Sequence, residues 1–270
     1  MITLSSVELN TLVAGLLWPL TRILGLLAAA PMYGNNSIPA RVKVALGILL
    51  TITIAPVVPA LPAADPMSLA GLLIVIQQFV VGLSMGFAMR IVFAAVEMAG
   101  EIAGMTMGMG FATFFDPLSQ GRTSALSQLL TLLATLVFMA VNGHLILLEA
   151  LAESFITLPI SATPFSAGGF QHLATWGALV FTAGVRLALP IIAGLLIVNV
   201  ALGILTRAAP QLNLFGIGFP LTLGAGLILI MLMMPYLSRP FEHLFNQGIE
   251  TVRKVPRELA KPSPPLAAPR

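Results

Sequence analysis

Long apolar stretches separated by short breaks dominate the pattern of this chain. The strands of a membrane barrel alternate apolar and polar positions over about ten residues, and these stretches do not alternate. A membrane-spanning helix needs about 20 mainly apolar residues. Stretches of that length with at most one charge cover residues 9–32, 44–64, 66–89, 123–148, 187–206 and 208–238. The pattern therefore predicts an all-α fold with about six integral-membrane-type hydrophobic helices, some of them long and kinked.

Helix breakers end these stretches and also occur inside them. The region 154–185 carries no charge, but Pro159, Pro164, Gly168 and Gly169 predict a loop there before helix resumes near His172. Prolines within the apolar runs, such as Pro19, Pro190 and Pro220, free backbone groups that lipid cannot satisfy. Such helices need protein neighbours or a water-lined cavity, which is a requirement that transporters and subunits of membrane assemblies share.

Composition excludes two broad classes of protein. The 270 residues are 58% hydrophobic and 9% charged, whereas a water-facing surface is roughly a quarter to a third charged. A soluble globule is therefore excluded, and so is a disordered chain, which needs low hydrophobicity and high charge. The absence of cysteine excludes disulfides, cysteine metal sites and a cysteine nucleophile.

Positive charge is concentrated at the C-terminal end. The formal net charge is +3, and six of the 13 Lys and Arg residues follow residue 238: Arg239, Arg253, Lys254, Arg257, Lys261 and Arg270. Basic residues next to a span remain on the cytoplasmic side, so we expect a cytoplasmic C-terminus. The pattern predicts a single helical domain over 1–250 and a basic, Pro-rich tail over 251–270. This tail lacks the interleaved aromatic residues of a nucleic-acid-binding stripe, so we expect no nucleic-acid partner.

The third stretch continues into a polar helical face. At 100° per residue, Arg90, Glu97 and Glu101 fall on one side of the helix. Two carboxylates four residues apart repel each other, and charges in hydrocarbon are costly. This face should therefore meet water or a cation on another helix. An ion pair between helices and a proton relay are both open, although no histidine lies nearby to extend a relay.

A methionine- and phenylalanine-rich segment follows this face. Methionines at steps of two share a side only in an extended chain, and each glycine costs a helix roughly 1 kcal/mol. We therefore expect the helix to end near Gly104 and an apolar loop to follow near residues 105–122. Methionine side chains are deformable gap fillers, so this loop could close an opening; a buried re-entrant turn is the alternative. Its candidate residues are Met105, Met107, Met109, Phe111, Phe114, Phe115, Asp116 and Pro117.

Four motifs resemble one known family. The run AGEIxGxxMGxxFATFxDP over 99–117, Asn142-Gly143-His144, Leu187-Ala188-Leu189-Pro190 and the run ALGxxxRxAPQLxxFxIGFPLTL over 201–223 are similar to those of the FliR family of flagellar export-gate proteins, which also has relatives in virulence-type type III secretion. The resemblance covers roughly residues 16–245, and the two long motifs are specific.

The resemblance implies a role and partners. Members of this family assemble with FliP and FliQ subunits, next to a FlhB-like subunit, into a helical pore at the inner membrane through which unfolded flagellar proteins pass. It also implies that much of the apolar chain packs against sister subunits rather than lipid, and that residues 105–117 match the family's plug loop. The expected location is the bacterial inner membrane at the flagellar basal body.

Three further polar residues are candidates for contacts between subunits. Arg186 is the only charge within 154–206 and should face protein, either in a partner subunit or as a pair with Glu97 or Glu101. Arg207 and Gln211 lie in a predicted turn, where they could bind neighbouring subunits. Alternatively, Arg207 could neutralise the end of a helix dipole.

The sequence offers little support for an enzyme. His144, His172 and His243 lack metal-ligand spacing, and no nucleotide-binding, nucleophile-elbow or zinc-protease motif is present. We expect no metal and no cofactor. The main hypothesis is a flagellar protein-export gate subunit; the alternatives are a virulence-type gate subunit and a secondary transporter of small solutes, which would show inverted repeats and polar groups converging at midplane.

Overall fold

A computed structural model describes residues 6–35, 37–111, 124–209 and 214–261. These ranges contain helices and turns but no strand, which confirms the all-α prediction. The α-helices are α1 (Ser6–Ala29), α2 (Ala40–Ile54), α3 (Leu69–Thr106), α4 (Ala125–Ala140), α5 (Gly143–Thr157), α6 (Gly168–Trp176), α7 (Leu179–Ala208), α8 (Leu214–Met233) and α9 (Ser238–Ala260). Short 3-10 turns follow α2, α3 and α8.

Within the described ranges, five helical segments are long and apolar enough to cross a membrane. They are Asn10–Ala29, Ala40–Val57, Leu69–Thr106, Gly168–Ala208 and Gly218–Tyr236, and a sixth span results if α4 and α5 are counted together. The count of about six hydrophobic helices is therefore confirmed. Pro19, Pro190 and Pro220 lie inside α1, α7 and α8.

Two boundaries differ from those expected. The stretch 123–148 is not one helix, because it breaks at Asn142, whose φ of 56° lies in the left-handed region. Asparagine is one of the few residues that adopts this conformation readily. The third helix ends at Thr106 instead of Gly104, so the glycine at 104 is accommodated within the last turn of α3.

The C-terminal helix extends beyond the expected boundary at 250. Residues 251–270 were expected to form a tail, yet α9 continues to Ala260. The buried residues Val252, Val255 and Leu259 recur at helical spacing and are at most 2% exposed. Charged residues and prolines lie between these apolar positions, so the sequence pattern did not predict the helix here. Residues 262–270 lie outside the described residues.

The chain divides into two compact units. The first unit contains the described residues of Met1–Ile91, Asn142–Gly177 and Phe245–Arg270, and the second contains those of Val92–Val141 and Ala178–Leu244.

Glycines bring the backbones of α1 and α3 into contact in the first unit. A Cβ placed on Gly82 would overlap the carbonyl oxygen of Arg22, and one on Gly86 would lie 2.7 Å from that of Leu26. Gly25 faces the backbone of α3 in the same way. This is the small-residue spacing that lets helices approach closely in membrane proteins. It determines how far the Arg22 side chain reaches past α3.

In the second unit, α3 packs closely against the start of α4. A Cβ on Gly100 would overlap the backbone of Ser127, whose hydroxyl donates a hydrogen bond of 2.7 Å to the carbonyl oxygen of Glu97. The rings of Phe93 and Phe138 meet edge to face, with centroids 5.7 Å apart. Helices α7 and α8 are neighbours, and Leu229 lies over Gly194. The acidic face of α3 is thereby held beside the N-terminus of α4.

Candidate functional site

A fully buried arginine lies in the first unit. Arg22 of α1 is 0% exposed, and all three of its nitrogens donate hydrogen bonds. Its Nε donates to Oε1 of Gln78 at 2.8 Å, its Nη1 to the carbonyl and hydroxyl oxygens of Ser154 at 2.8 and 3.2 Å, and its Nη2 to the carbonyl oxygen of Leu158 at 2.8 Å. The guanidinium carbon lies 4.3 Å from the centroid of the Phe155 ring.

The charge of Arg22 is balanced by a helix end. Its two carbonyl acceptors belong to the last turn and C-cap of α5, where the helix dipole is negative; the Ser154 carbonyl also accepts from the N–H of Leu158 at 2.9 Å. The face of the Phe155 ring adds a cation–π contact. A buried arginine normally needs hydrogen-bond acceptors for its guanidinium nitrogens, and each of the three has at least one here. Arg22 therefore connects α1, α3 and the C-terminal end of α5.

Arg22 was not among the residues predicted to form a site. The available signal was its position as the only charge between residues 9 and 32, because a single charge in an apolar run needs a dedicated partner. Two of its partners are backbone carbonyl groups, which carry no sequence signal, whereas Gln78 is visible as a polar side chain within an apolar run.

In the second unit, Glu101 binds the N-terminus of α4. Its Oε1 accepts a hydrogen bond of 2.6 Å from the backbone N–H of Ser124, the N-cap residue. The hydroxyl of Ser124 in turn accepts from the N–H of Ser127 at 3.1 Å. A carboxylate at a helix N-terminus is stabilised by the dipole and by the free N–H groups. Neither Glu97 nor Glu101 forms an ion pair with another described residue. The interhelical ion pair, one of the two open alternatives, is therefore not formed among the described residues.

Replacing Glu101 with alanine should loosen the first turn of α4. Loss of a helix-capping acceptor costs about 1 kcal/mol, so we expect amide hydrogen exchange in that turn to accelerate roughly fivefold. Glu101→Gln should give a smaller change because the amide oxygen still accepts from Ser124. The matched control is Glu97→Ala, which should not accelerate exchange, since the hydroxyl of Ser127 donates to the backbone carbonyl oxygen of Glu97. Equal exchange in Glu101→Ala and wild type would refute the capping role.

The methionine-rich segment begins inside a packed contact. Met107 is 1% exposed, and its side chain lies against Gly226 of α8. The hydroxyl of Thr222 donates to the carbonyl oxygen of Met107 at 3.2 Å. Met105 is 62% exposed, so these two methionines point to different sides, as they do on a helix. A loop was expected from residue 105, but Met105 lies in the last turn of α3 and Met107 follows it in a turn.

Beyond Met107 the backbone turns. Gly108 has φ of 85°, and a 3-10 turn covers Met109–Phe111. Phe114, Phe115, Asp116 and Pro117 lie outside the described residues, and so does Gln211. Within the apolar segment, Met107 is therefore held by its contacts with Thr222 and Gly226 of α8.

The remaining candidate arginines are exposed. Arg90, Arg186 and Arg207 lie on the surfaces of α3 and α7, and no ion pair joins them to any residue in the described ranges. Pairing of Arg186 with Glu97 or Glu101 was one alternative, and the structure contradicts it. Arg207 lies in the last turn of α7, where a cation is favoured by the helix dipole.

Comparison with known proteins identifies the family. The sequence matches "Bacterial export proteins, family 1" over residues 13–248. The chain belongs to this family. The flagellar biosynthetic protein FliR of Escherichia coli K12 is 43% identical over 244 residues, covering 90% of this chain and 92% of that protein. FliR of Pectobacterium carotovorum is 41% identical over 260 residues, covering 96% and 99%, and FliR of Bacillus subtilis is 26% identical over 238 residues, covering 87% and 91%. The resemblance seen in the sequence motifs is confirmed.

Membership of export protein family 1 indicates that the sites described above belong to an export component. The chain is a membrane protein with several apolar helices, and its family is one of export components rather than enzymes. In the part of the chain that the structure describes, no group of three or more His, Asp or Glu side chains could hold a metal ion. Arg22 and Glu101 each contact the end of another helix.

One polar surface stands out in this export protein. In the first unit, Arg253 of α9 forms ion pairs with Glu149 and Glu153 of α5, at 3.5 and 3.0 Å. On the exposed side of α9, the Lys254 ammonium lies 2.7 Å from the Glu250 carboxylate, and its hydrogen bond lowers the pKa of that carboxyl group. This helix has a buried apolar side and a charged outer side, which is typical of a helix that faces water.

Proposed function

We propose that this chain is a subunit of the flagellar type III export gate in the bacterial inner membrane, at the basal body. It assembles with FliP-like and FliQ-like subunits and contacts a FlhB-like subunit, and together they form the pore for unfolded flagellar proteins. Flagellar use is favoured over virulence-type secretion because the relatives at 41% and 43% identity are both flagellar biosynthetic proteins. The charged outer side of α9 supports a cytoplasmic C-terminus.

The observation that carries this proposal is the unpartnered apolar surface. Only 22% of the most apolar window in Gly168–Ala208 and 17% of that in Gly218–Tyr236 are buried within the chain. Large side chains such as Ile197 and Met231 are more than 70% exposed. Helices that also carry interior prolines and exposed arginines are poorly suited to lipid alone. Sister subunits would cover this surface and satisfy those polar groups.

The plug is the second part of the proposal. Residues Met105 to Pro117 form a deformable stopper at the constriction of the assembled pore. Support comes from the buried Met107, which would anchor one end of the segment while the following apolar residues occlude the opening. Methionine and phenylalanine side chains can rearrange around a passing chain without binding it tightly.

The proposed contacts between subunits involve Arg90, Glu97, Glu101, Arg186, Arg207 and Gln211. For Glu101 this role is limited, because its carboxylate already caps α4. Arg90, Arg186 and Arg207 are better suited, since they are exposed and an arginine fork binds carboxylates well.

Deleting residues 109–117 should make the assembled gate leak. The deletion leaves Met107 and its contact with α8 intact, so the subunit should still fold while the constriction loses its stopper. We expect the complex, reconstituted in vesicles, to pass ions and small dyes at least tenfold faster than the wild-type complex. The measurement is dye release together with single-channel conductance.

The control for this deletion is Met67→Ala, which removes an equally apolar side chain that is 93% exposed in the turn before α3. It should leave the gate closed. A correctly assembled deletion complex with wild-type conductance would count against the plug.

A further inference from the structure

One face of α7 is apolar in its middle and carries an arginine at each end. Its exposed residues at helical spacing are Arg186, Leu189, Ile197, Val200, Ile204 and Arg207, which we call the Arg186 seam. The opposite side of α7 is buried in the second unit through residues such as Ala188, Ile191 and Leu195. The seam is therefore the side of α7 that the described part of the chain leaves uncovered.

The guanidinium of Arg186 has no side-chain acceptor within the described part of the chain. Arg186 is exposed and forms neither an ion pair nor a side-chain hydrogen bond with another described residue. Pro190, one turn later, is exposed as well, and it has no N–H to donate to the carbonyl group of Arg186. A guanidinium donor and a freed carbonyl acceptor thus lie side by side on an apolar face.

The carbonyl group freed by Pro190 distinguishes protein from lipid as the occupant. The arginines are 21 residues apart, about 31 Å along a helix, and cations at that spacing could also reach the two faces of a bilayer. However, hydrocarbon cannot satisfy the carbonyl group freed by Pro190. A packed protein helix can supply a donor to this carbonyl group, and lipid cannot.

We propose that the Arg186 seam binds an apolar helix of a sister subunit that presents a carboxylate to Arg186. The carboxylate accepts the charge-assisted hydrogen bonds of the guanidinium, and the apolar residues from Leu189 to Ile204 pack along the same partner helix. Because both charged residues in the seam are cations, the complementary partner surface is acidic. This inference rests on the proposed assembly and specifies which face of the chain is used and the chemistry of its partner.

The first experiment measures recovery of partner subunits with the tagged full-length chain, co-expressed with the FliP-like and FliQ-like subunits of the same bacterium. Arg186→Gln should lower that recovery at least tenfold at equal chain level in the membrane, because it leaves a buried partner carboxylate without its cation. Arg186→Lys should retain part of it. Arg41→Gln, the same change at an exposed arginine of α2, should behave as wild type.

The second experiment does not depend on the folding of an Arg186 variant. The chain has no cysteine, so Ile197→Cys provides a single attachment point for a photoreactive maleimide. In the assembled complex, this probe should cross-link to a sister subunit, whereas the same probe at Met67→Cys, in an exposed turn, should not.

The outcomes distinguish failure of the proposed function from failure of the Arg186 seam alone. Failure of the wild-type chain to capture any partner would overturn the proposed function together with this inference. Capture by wild type and Arg186→Gln alike would overturn the inference alone. Cross-linking of the Ile197 probe only to phospholipid, with weaker binding of Arg186→Gln to phosphatidylglycerol vesicles, would assign the seam to lipid and likewise overturn it.

Discussion

Replacing Arg22 with leucine is expected to shorten the lifetime of this chain in the membrane at least tenfold. The substitution leaves the carbonyl oxygen of Leu158 and the amide oxygen of Gln78 buried without their donor. Leaving a buried acceptor without its donor costs about 1–3 kcal/mol for each group, and about 1–2 kcal/mol already changes cellular abundance several-fold. Pulse-chase labelling in cells that also express the partner subunits measures the lifetime.

Two further variants test the origin of this effect. Arg22→Lys keeps the charge but loses the planar fork that reaches three groups, so its lifetime should be intermediate. Arg41→Leu makes the same substitution at an exposed position and should leave the lifetime unchanged. If Arg22→Leu persisted as long as Arg41→Leu, the buried arginine would not stabilise the first unit.

Replacing Gly82 with alanine is expected to have the second largest effect. The added methyl group would overlap the carbonyl oxygen of Arg22, and neither backbone can give way without separating α1 from α3. Overpacking of this kind costs roughly 1–3 kcal/mol, and the separation would also lengthen the hydrogen bond from Arg22 to Gln78. We expect a lifetime several-fold below that of wild type in the same pulse-chase assay.

The matched control for Gly82 is Gly15→Ala in α1. A Cβ at Gly15 would meet only the side chain of Leu61, at an ordinary 3.6 Å, and alanine favours the helix by up to about 1 kcal/mol. This variant should be as stable as wild type or slightly more so. Equal lifetimes for Gly82→Ala and Gly15→Ala would contradict the close crossing of α1 and α3.

The fold could be predicted where one physical requirement acts alone. Apolar run length was sufficient for most of the helices, because the thickness of a bilayer sets how long an uncharged run must be. It did not show that the run 123–148 breaks at Asn142. The path of α9 could not be predicted as easily. Its buried positions Val252, Val255 and Leu259 alternate with charges and follow helical spacing only when those charges are ignored.

The polar sites were predictable as positions but not as contacts. Spacing correctly placed Glu97 and Glu101 on one helical face, yet the partner of Glu101 is a backbone N–H at the start of α4. Arg22 likewise binds carbonyl groups at the end of α5. Backbone groups are the same at every residue, so a sequence gives no sign of which helix end will lie beside a given charge.

The central claim is that the exposed apolar helices exist to pack against sister subunits around a conduit. Its most direct test is native mass spectrometry of the detergent-extracted wild-type chain, expressed with and without the FliP-like and FliQ-like subunits. With these subunits present, we predict a single heteromeric complex that contains this chain, and without them, aggregation or rapid degradation. A stable, folded monomer that shows no affinity for either subunit would contradict the account.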